Sequence, residues 1–154
     1  MCNYDNYVKI LFRFYSDVLD QWTVETMWAE IVDQEKGYFK LDSIPFYAPL
    51  VASDDIVRAE YDDKELKLTY RETVSPSGNS TITVVLMNKT WDIQNICNMF
   101  GDLGCRSERL NDGYFAMEVP FHIDYTPIKC KLEELEKKGV IGYAEPCLSA
   151  THRY

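Results

Sequence analysis

The sequence predicts an α+β protein with a small N-terminal antiparallel β-barrel-like subdomain followed by a C-terminal ferredoxin-like βαββαβ subdomain. Three observations predict this class. Hydrophobic residues alternate with period two in the first half, two segments of the second half have helical periodicity, and a Ser-Pro-Ser-Gly-Asn turn at 75–79 separates the halves. We therefore place the subdomains at residues 1–77 and 78–154. A chain of 154 residues is long enough to bury a core without disulfides.

The first half contains five short segments rich in β-branched and aromatic residues, joined by polar turns. In residues 8–14 every second side chain is apolar, which is typical of a half-buried strand. Pro45 and Pro49 interrupt regular structure because proline cannot donate a ladder hydrogen bond. Five strands with tight turns and no strong helix signal indicate a small, partly open barrel. The predicted strands are 8–14, 23–32, 38–41, 56–61 and 66–74.

The second half alternates strand and helix signals. A β-branched run at 81–87 precedes a helix that Thr90 is predicted to cap, with apolar residues at i, i+3, i+4 and i+7 from Ile93. Asn-Asp-Gly at 111–113 predicts a hairpin. Pro127 opens a second helix that Gly139 ends. The remaining predicted strands are 103–110, 113–121 and 140–144, which completes the order β-α-β-β-α-β.

Charge and cysteine content exclude several classes of partner. The chain carries 25 acidic and 16 basic residues, a net charge of −9 that repels nucleic acid and attracts basic proteins. Residues 1–77 hold 15 acidic and 8 basic residues, so most of the excess lies there. No segment resembles a signal peptide or a membrane span. Five cysteines without a Cys-x-x-Cys pair argue against a disulfide framework or zinc site, so a cytoplasmic location is expected: Cys2, Cys97, Cys105, Cys130 and Cys147.

Four segments together resemble a known family: Trp-Ala-Glu at 28–30, Tyr-Phe-Lys-Leu-Asp-Ser-Ile-Pro-Phe-Tyr-Ala at 38–48, Asp-Asp-Ile-Val-Arg-Ala-Glu at 54–60 and Ser-Pro-Ser-Gly-Asn-Ser-Thr at 75–81. They resemble a bacterial domain-of-unknown-function family of short cytosolic proteins. The Ile-Pro-Phe-Tyr-Ala segment is the most specific part, and the resemblance covers most of the chain. It implies a bacterial origin and supplies no catalytic residues.

Candidate catalytic groups are few. Tyr114, Glu118 and His122 share parity on one predicted strand, so an enzyme using His122 and Glu118 is one alternative. His152 is expected to be frayed and unable to hold catalytic geometry. The carboxylates at 54–65 lack the spacing of a calcium loop, and no glycine-rich phosphate cradle is present. We therefore predict no metal, no cofactor and no enzymatic activity.

The remaining reading is protein recognition. Tyrosine is abundant, with 11 copies, and rings that cannot all be buried become interface anchors. We predict a non-enzymatic immunity-type inhibitor that neutralises a basic, nuclease-type toxin by blocking its active-site cleft. A small-ligand-binding regulatory module is the first alternative. The residues predicted to contact the basic partner are Asp54, Asp55, Glu60, Asp62, Asp63 and Glu65, with Tyr47 and Tyr61 as aromatic anchors.

Overall fold

A computed structural model describes residues 6–154. The chain consists of two compact units, which we call unit 1 (Met1–Ser77) and unit 2 (Gly78–Tyr154). It is a sheet-rich α+β protein in which the described residues form two α-helices, one five-stranded sheet and one four-stranded sheet. The predicted α+β class agrees with this architecture.

Unit 1 is built from the five-stranded sheet, which closes into a barrel in the order β1-β2-β3-β4-β5. Neighbouring strands are antiparallel, and a short parallel pairing of Leu11 with Thr69 joins β5 back to β1. Its strands are β1 (Tyr7–Ser16), β2 (Gln21–Asp33), β3 (Tyr38–Leu41), β4 (Ile56–Asp62) and β5 (Lys67–Ser75).

The barrel core follows from the alternation of β1. The even-numbered residues Ile10 and Phe12 point inward and are buried, and Phe12 stacks on Tyr70 of β5 with ring centroids 4.7 Å apart. Inward residues of β2, β3 and β4 complete the cluster, so one continuous apolar core is shared by all five strands. Its buried members are Ile10, Phe12, Met27, Ala29, Phe39, Leu41, Ala48, Val51, Val57 and Ala59.

Unit 2 contains the four-stranded sheet in the order β7-β8-β6-β9, with all neighbours antiparallel. Along the chain its elements follow the order β-α-β-β-α-β. Within residues 6–154, neither helix has the length and apolar character needed to cross a membrane. The elements are β6 (Ser80–Leu86), α1 (Ile93–Gly101), β7 (Arg106–Asn111), β8 (Tyr114–Val119), α2 (Thr126–Lys137), β9 (Ile141–Cys147) and a short 3₁₀ turn (Ala150–His152).

Both helices bury the stripe that their periodicity predicts. The buried residues of α1 are Ile93, Ile96, Cys97 and Phe100, and those of α2 are Ile128, Leu132 and Leu135. The cap of α1 differs from the prediction. Asp92 is the N-cap, and its carboxylate accepts the N–H of Gln94 at 3.0 Å. Thr90 is therefore not the cap, because its N–H and hydroxyl both donate to Asn88 Oδ1 in the preceding turn.

Candidate functional site

The predicted acidic residues at the end of β4 are paired with a neighbouring arginine. Arg71 of β5 donates from Nε to Glu60 Oε1 and from Nη2 to Asp62 Oδ2, each at 2.8 Å. The other Asp62 oxygen accepts the backbone N–H groups of Lys64 and Glu65, at 2.8 and 3.0 Å. Asp62 therefore fixes the β4–β5 turn in addition to carrying charge.

Arg13 of β1 makes the second strong pair. Its guanidinium donates to both carboxylate oxygens of Glu65, at 2.6 and 2.9 Å, and this contact lowers the pKa of Glu65. These arginine–carboxylate pairs offset much of the negative charge of the acidic residues at 54–65. We call this set the acidic network, and its members are Glu60, Asp62 and Glu65 with Arg13, Arg58 and Arg71.

Asp55 does not belong to the surface on which the sequence analysis placed it. It is 3% exposed, and its carboxylate accepts the backbone N–H groups of Ala52 and Ser77 at 3.0 and 2.8 Å. Burial raises the pKa of Asp55. Its role is to hold the loop before β4 against the end of β5, so a partner has no access to it. This part of the predicted contact set is wrong.

The other predicted contact residues fall in two places. Tyr61 and Asp63 are exposed at the end of β4, beside the acidic network, and the Asp63 side chain has no hydrogen bond or ion pair to any residue in 6–154. Tyr47 and Asp54 lie in the loop between β3 and β4. Tyr47 is half-buried, whereas Asp54 is exposed and lies 3.9 Å from the amine of Lys40. Only the first group borders the acidic network directly.

Unit 1 also exposes a set of apolar residues on β2 that are not among the predicted contact residues. Trp22, Val24, Trp28 and Val32 occupy even positions of β2, which face away from the barrel core, and they are 48–68% exposed. The amine of Lys9 on β1 lies 5.0 Å from the Trp28 ring centroid, a cation–π distance. We call these four residues the β2 apolar row. Thr26 and Glu30 occupy the even positions between them, and the shared parity of the four apolar residues was the signal that could have identified them.

Arg13 connects the β2 apolar row with the acidic network. It pairs with Val24 across the β1–β2 ladder, and its guanidinium binds Glu65 at the β4–β5 turn. The two features are therefore neighbours on the outside of the barrel. Together they combine tryptophan side chains with flanking charge, which is the composition typical of protein interfaces.

The predicted row of Tyr114, Glu118 and His122 is not formed. Strand β8 ends at Val119, and His122 is exposed in the following turn, where its ring contacts Phe121 at 5.3 Å. Glu118 is buried on β8. Parity along a strand predicts a shared face only while the strand continues, and β8 stops before Pro120. The structure does not bring together the groups of the enzyme alternative.

His152 is ordered and buried, so the expected fraying is wrong. Its Nδ1 lies 2.6 Å from Ser80 Oγ, and its Nε2 lies 3.1 Å from the carbonyl oxygens of Pro120 and Ile123. A serine beside a histidine is the core of many nucleophilic sites. Here Ser80 is fully buried and Nε2 contacts two carbonyls, so the pair has a structural function in unit 2.

Cysteine chemistry is equally restricted. A groove of about 610 Å³ beside α1 is lined in part by Cys97 and Cys105, and burial raises the pKa of Cys105 to about 12. Burial also raises the pKa of Cys97, so both thiols are poor nucleophiles at neutral pH. Cys130 is exposed and Cys147 is half-buried, and Cys2 lies outside the described residues. Residues 6–154 contain no cluster of three or more His, Cys, Asp or Glu side chains arranged to hold a metal ion.

A tyrosine cluster encloses Lys129 of α2. The Lys129 amine lies 4.4 Å from the Tyr154 ring centroid and 4.9 Å from that of Tyr143, and it donates to Glu145 Oε1 at 3.3 Å. The hydroxyl of Tyr125 donates to the other Glu145 oxygen at 2.6 Å. Burial opposes the charged form of Lys129, but its hydrogen bonds with Tyr143, Tyr154 and Glu145 outweigh this effect, so the pKa of Lys129 is raised. The charges of Lys129 and Glu145 are paired within the cluster, so its role is to hold α2 against β9.

Asp62 makes the barrel's stability depend on pH. The hydrogen bond from Arg71, followed by those from Glu65 and Lys64, lowers the pKa of Asp62 from 3.8 to about 2. Because the pKa of Asp62 is lower in the folded state, its ionised carboxylate stabilises the fold at pH values above the ordinary pKa of 3.8. This contribution to the free energy of unfolding is lost as the pH falls through about 2. We expect Asp62→Asn to lower the free energy of unfolding at neutral pH, with the difference vanishing at the acid end of a urea-unfolding series. Asp63→Asn is the control and should match the wild type throughout. A deficit of Asp62→Asn that persists unchanged in acid would contradict this assignment.

The fold and the barrel surface define a sheet-rich α+β protein with an exposed apolar row beside a network of paired charges. The chain belongs to the family described as Domain of unknown function (DUF4265), whose model matches residues 25–143. This confirms the expected membership of a domain-of-unknown-function family. No curated protein matches the chain. A crystal structure of a hypothetical protein from Neisseria gonorrhoeae is similar to it, with a TM-score of 0.80 and 23% identity over 92% of this chain and 94% of that one. At this identity the likeness shows a shared fold.

Proposed function

We propose that this protein is a non-enzymatic protein-binding inhibitor, an immunity-type protein of the bacterial cytoplasm that neutralises a basic, nuclease-type toxin by blocking its active-site cleft. The observation that carries the proposal is the β2 apolar row beside the acidic network. Within this proposal unit 1 is classed as barrel-like. Unit 2 is classed as ferredoxin-like on its βαββαβ element order.

The β2 apolar row supplies the centre of the proposed interface. Tryptophan is among the residues that contribute most to protein–protein affinity when a partner covers it. Trp22 and Trp28 lie on the same outward face of one strand, so one apolar surface of a partner can cover both. The closed barrel leaves no free edge at β2, so the partner packs on side chains instead of adding a strand.

Negative charge supplies the preference for a basic partner. Unit 1 carries a net charge of −7, and within it Asp63 and Tyr61 are exposed next to the acidic network. A surface of this sign speeds encounter with a cationic protein, and carboxylates that enter a nuclease cleft occupy the place of substrate phosphates. Asp62 and Glu65 are held by arginines, so Asp63 is the carboxylate best placed for steering.

The test measures inhibition and binding kinetics against purified basic nuclease toxin domains. We expect Trp28→Ala to speed dissociation and to weaken affinity by a factor of about 30 or more. We expect Asp63→Lys to slow association several-fold at about 20 mM salt, with little effect at about 300 mM. Asp102→Lys, which reverses an exposed charge in unit 2, is the matched control.

Two outcomes would contradict the proposal. One is the absence of inhibition across basic nuclease domains by folded wild-type protein. The other is inhibition that Trp28→Ala and Asp63→Lys leave unchanged, because the inhibitor would then use another surface. If Asp63→Lys and Asp102→Lys slow association equally, the effect depends on the net charge of the protein. The barrel surface would then not be the site that steers the partner.

A small-ligand-binding regulatory module is the second candidate function. It is favoured by a cavity at one end of the barrel, lined by apolar side chains from all five strands. Binding at this cavity and binding of a protein at the β2 apolar row use different residues, so each function is testable without the other.

A further inference from the structure

The end of the barrel at the β2–β3 turn borders an open cavity of about 430 Å³. Its floor is apolar. Val8, Ile31 and Leu68 are partly buried against the barrel core, and the fully buried Phe39 and Ala59 lie among them. Pockets that hold small molecules have volumes of about 300–1,000 Å³ and occur in the mouths of β-barrels. We call this feature the barrel mouth.

A glycine in the β2–β3 turn allows the chain to lie close against β4 beside the barrel mouth. Gly37 has a φ of +73°, and a Cβ at this position would lie 2.7 Å from the backbone oxygen of Ala59. A side chain is therefore excluded by conformation and by space. The N–H of Ala59 donates to the Gly37 carbonyl at 2.9 Å, which fixes the turn at the rim.

The rim of the barrel mouth presents two cations. Arg58 pairs with Tyr38 across the β3–β4 ladder, and the Lys36 amine lies 6.0 Å from the Tyr38 ring centroid. Arg58 Nε donates to Glu72 Oε1 at 3.3 Å, whereas its Nη1 lies 3.7 Å from Glu60, beyond hydrogen-bond distance, and Arg71 holds that carboxylate. Glu35 is the other carboxylate at the rim and is exposed. The rim therefore offers N–H donors from Arg58 and Lys36 above an apolar floor.

We propose that the barrel mouth binds a small carboxylic acid with a compact aromatic or branched apolar body. The apolar body packs on Val8, Ile31 and Leu68, and the carboxylate accepts hydrogen bonds from Arg58 and Lys36 at the rim. The N–H donors of these two cations, together with the apolar floor, favour an acid over its neutral counterpart. The site does not depend on the proposed inhibitor function.

The test uses 1-naphthoate as the acid probe and 1-naphthalenemethanol as its neutral counterpart, with methyl NMR of the full chain. We expect saturable shifts of the Val8, Ile31 and Leu68 methyl signals with a dissociation constant on the order of 0.1–1 mM. Arg58→Gln should weaken naphthoate binding at least about fivefold and leave the alcohol unchanged. Lys40→Gln removes an exposed charge of β3 outside the cavity and should have no effect.

Three results would overturn the assignment. Absence of saturable shifts in the millimolar range would remove the site, and shifts centred on other methyl groups would place binding elsewhere. Equal binding of acid and alcohol, unchanged by Arg58→Gln, would remove the carboxylate preference. Leu68→Trp, which fills the mouth from a partly buried position, should abolish binding of both probes if the variant retains the wild-type backbone spectrum.

Discussion

Replacing His152 with alanine is expected to lower the free energy of unfolding of unit 2 by about 3 kcal/mol. His152 is 3% exposed and contacts two separate segments, the start of β6 at Ser80 and the turn from Pro120 to Ile123. The two carbonyls at Nε2 assign the proton to that nitrogen, so Nδ1 accepts the Ser80 hydroxyl. Alanine removes the Nε2–H donor from the two carbonyls and the acceptor of the Ser80 hydroxyl proton, and its small side chain leaves a buried space unfilled. The Pro120 carbonyl and the Ser80 hydroxyl oxygen keep the N–H groups of Ile123 and Ser149.

Urea unfolding followed at backbone signals of β6 measures this effect within unit 2. The matched control is His122→Ala, which removes the other histidine from an exposed turn and should change the free energy of unfolding by less than about 0.5 kcal/mol. Similar small effects of both substitutions would show that the contacts of His152 do not stabilise unit 2.

His152 illustrates what sequence patterns do not contain. Ser80 lies 72 residues away and Pro120 lies 32 residues away, so no local spacing announces the contact. Local sequence patterns predicted correctly those elements whose structure is determined by nearby residues. The alternation of β1, the buried stripe from Ile93 to Phe100 and the Asn-Asp-Gly hairpin are each set by neighbours within a few residues. The cap of α1 was misplaced because Thr90 and Asp92 are both acceptable caps, and only the turn geometry selects one.

In the candidate site, too, the sequence predicts where charged residues lie but not which residues they pair with. Sequence density located carboxylates near β4 but not their partners, since Arg13 is 52 residues from Glu65. Density also grouped Asp55 with exposed neighbours, although Asp55 is 3% exposed and binds the backbone N–H groups of Ala52 and Ser77. The β2 apolar row could be predicted from the sequence, because Trp22, Val24 and Trp28 all occupy even positions of one strand. Recognising it requires knowing which face of β2 is inward, and that is fixed by the pairing with β1 and β3.

Glu25→Ala is expected to destabilise unit 1 by about 3 kcal/mol. Glu25 lies on β2, and its carboxylate accepts the backbone N–H groups of three consecutive residues, Phe46, Tyr47 and Ala48, at 2.7, 3.1 and 2.9 Å. Three successive N–H groups that converge on one carboxylate form an anion-binding nest whose ligand here is a side chain of the same chain. This contact holds the Ile-Pro-Phe-Tyr-Ala segment, in which Ile44 and Ala48 are buried.

Graded substitution separates the carboxylate from the side-chain volume. Glu25→Gln keeps one acceptor oxygen and places an amide donor where the second stood, so it should lose part of the stability that Glu25→Ala loses. Glu35→Ala removes an exposed carboxylate from the β2–β3 turn and should be close to neutral in urea unfolding of unit 1. If Glu25→Ala unfolds at the wild-type midpoint, the loop keeps its conformation without the nest. The order alanine, glutamine, wild type in rising stability would instead show that one carboxylate from β2 organises the 44–48 segment.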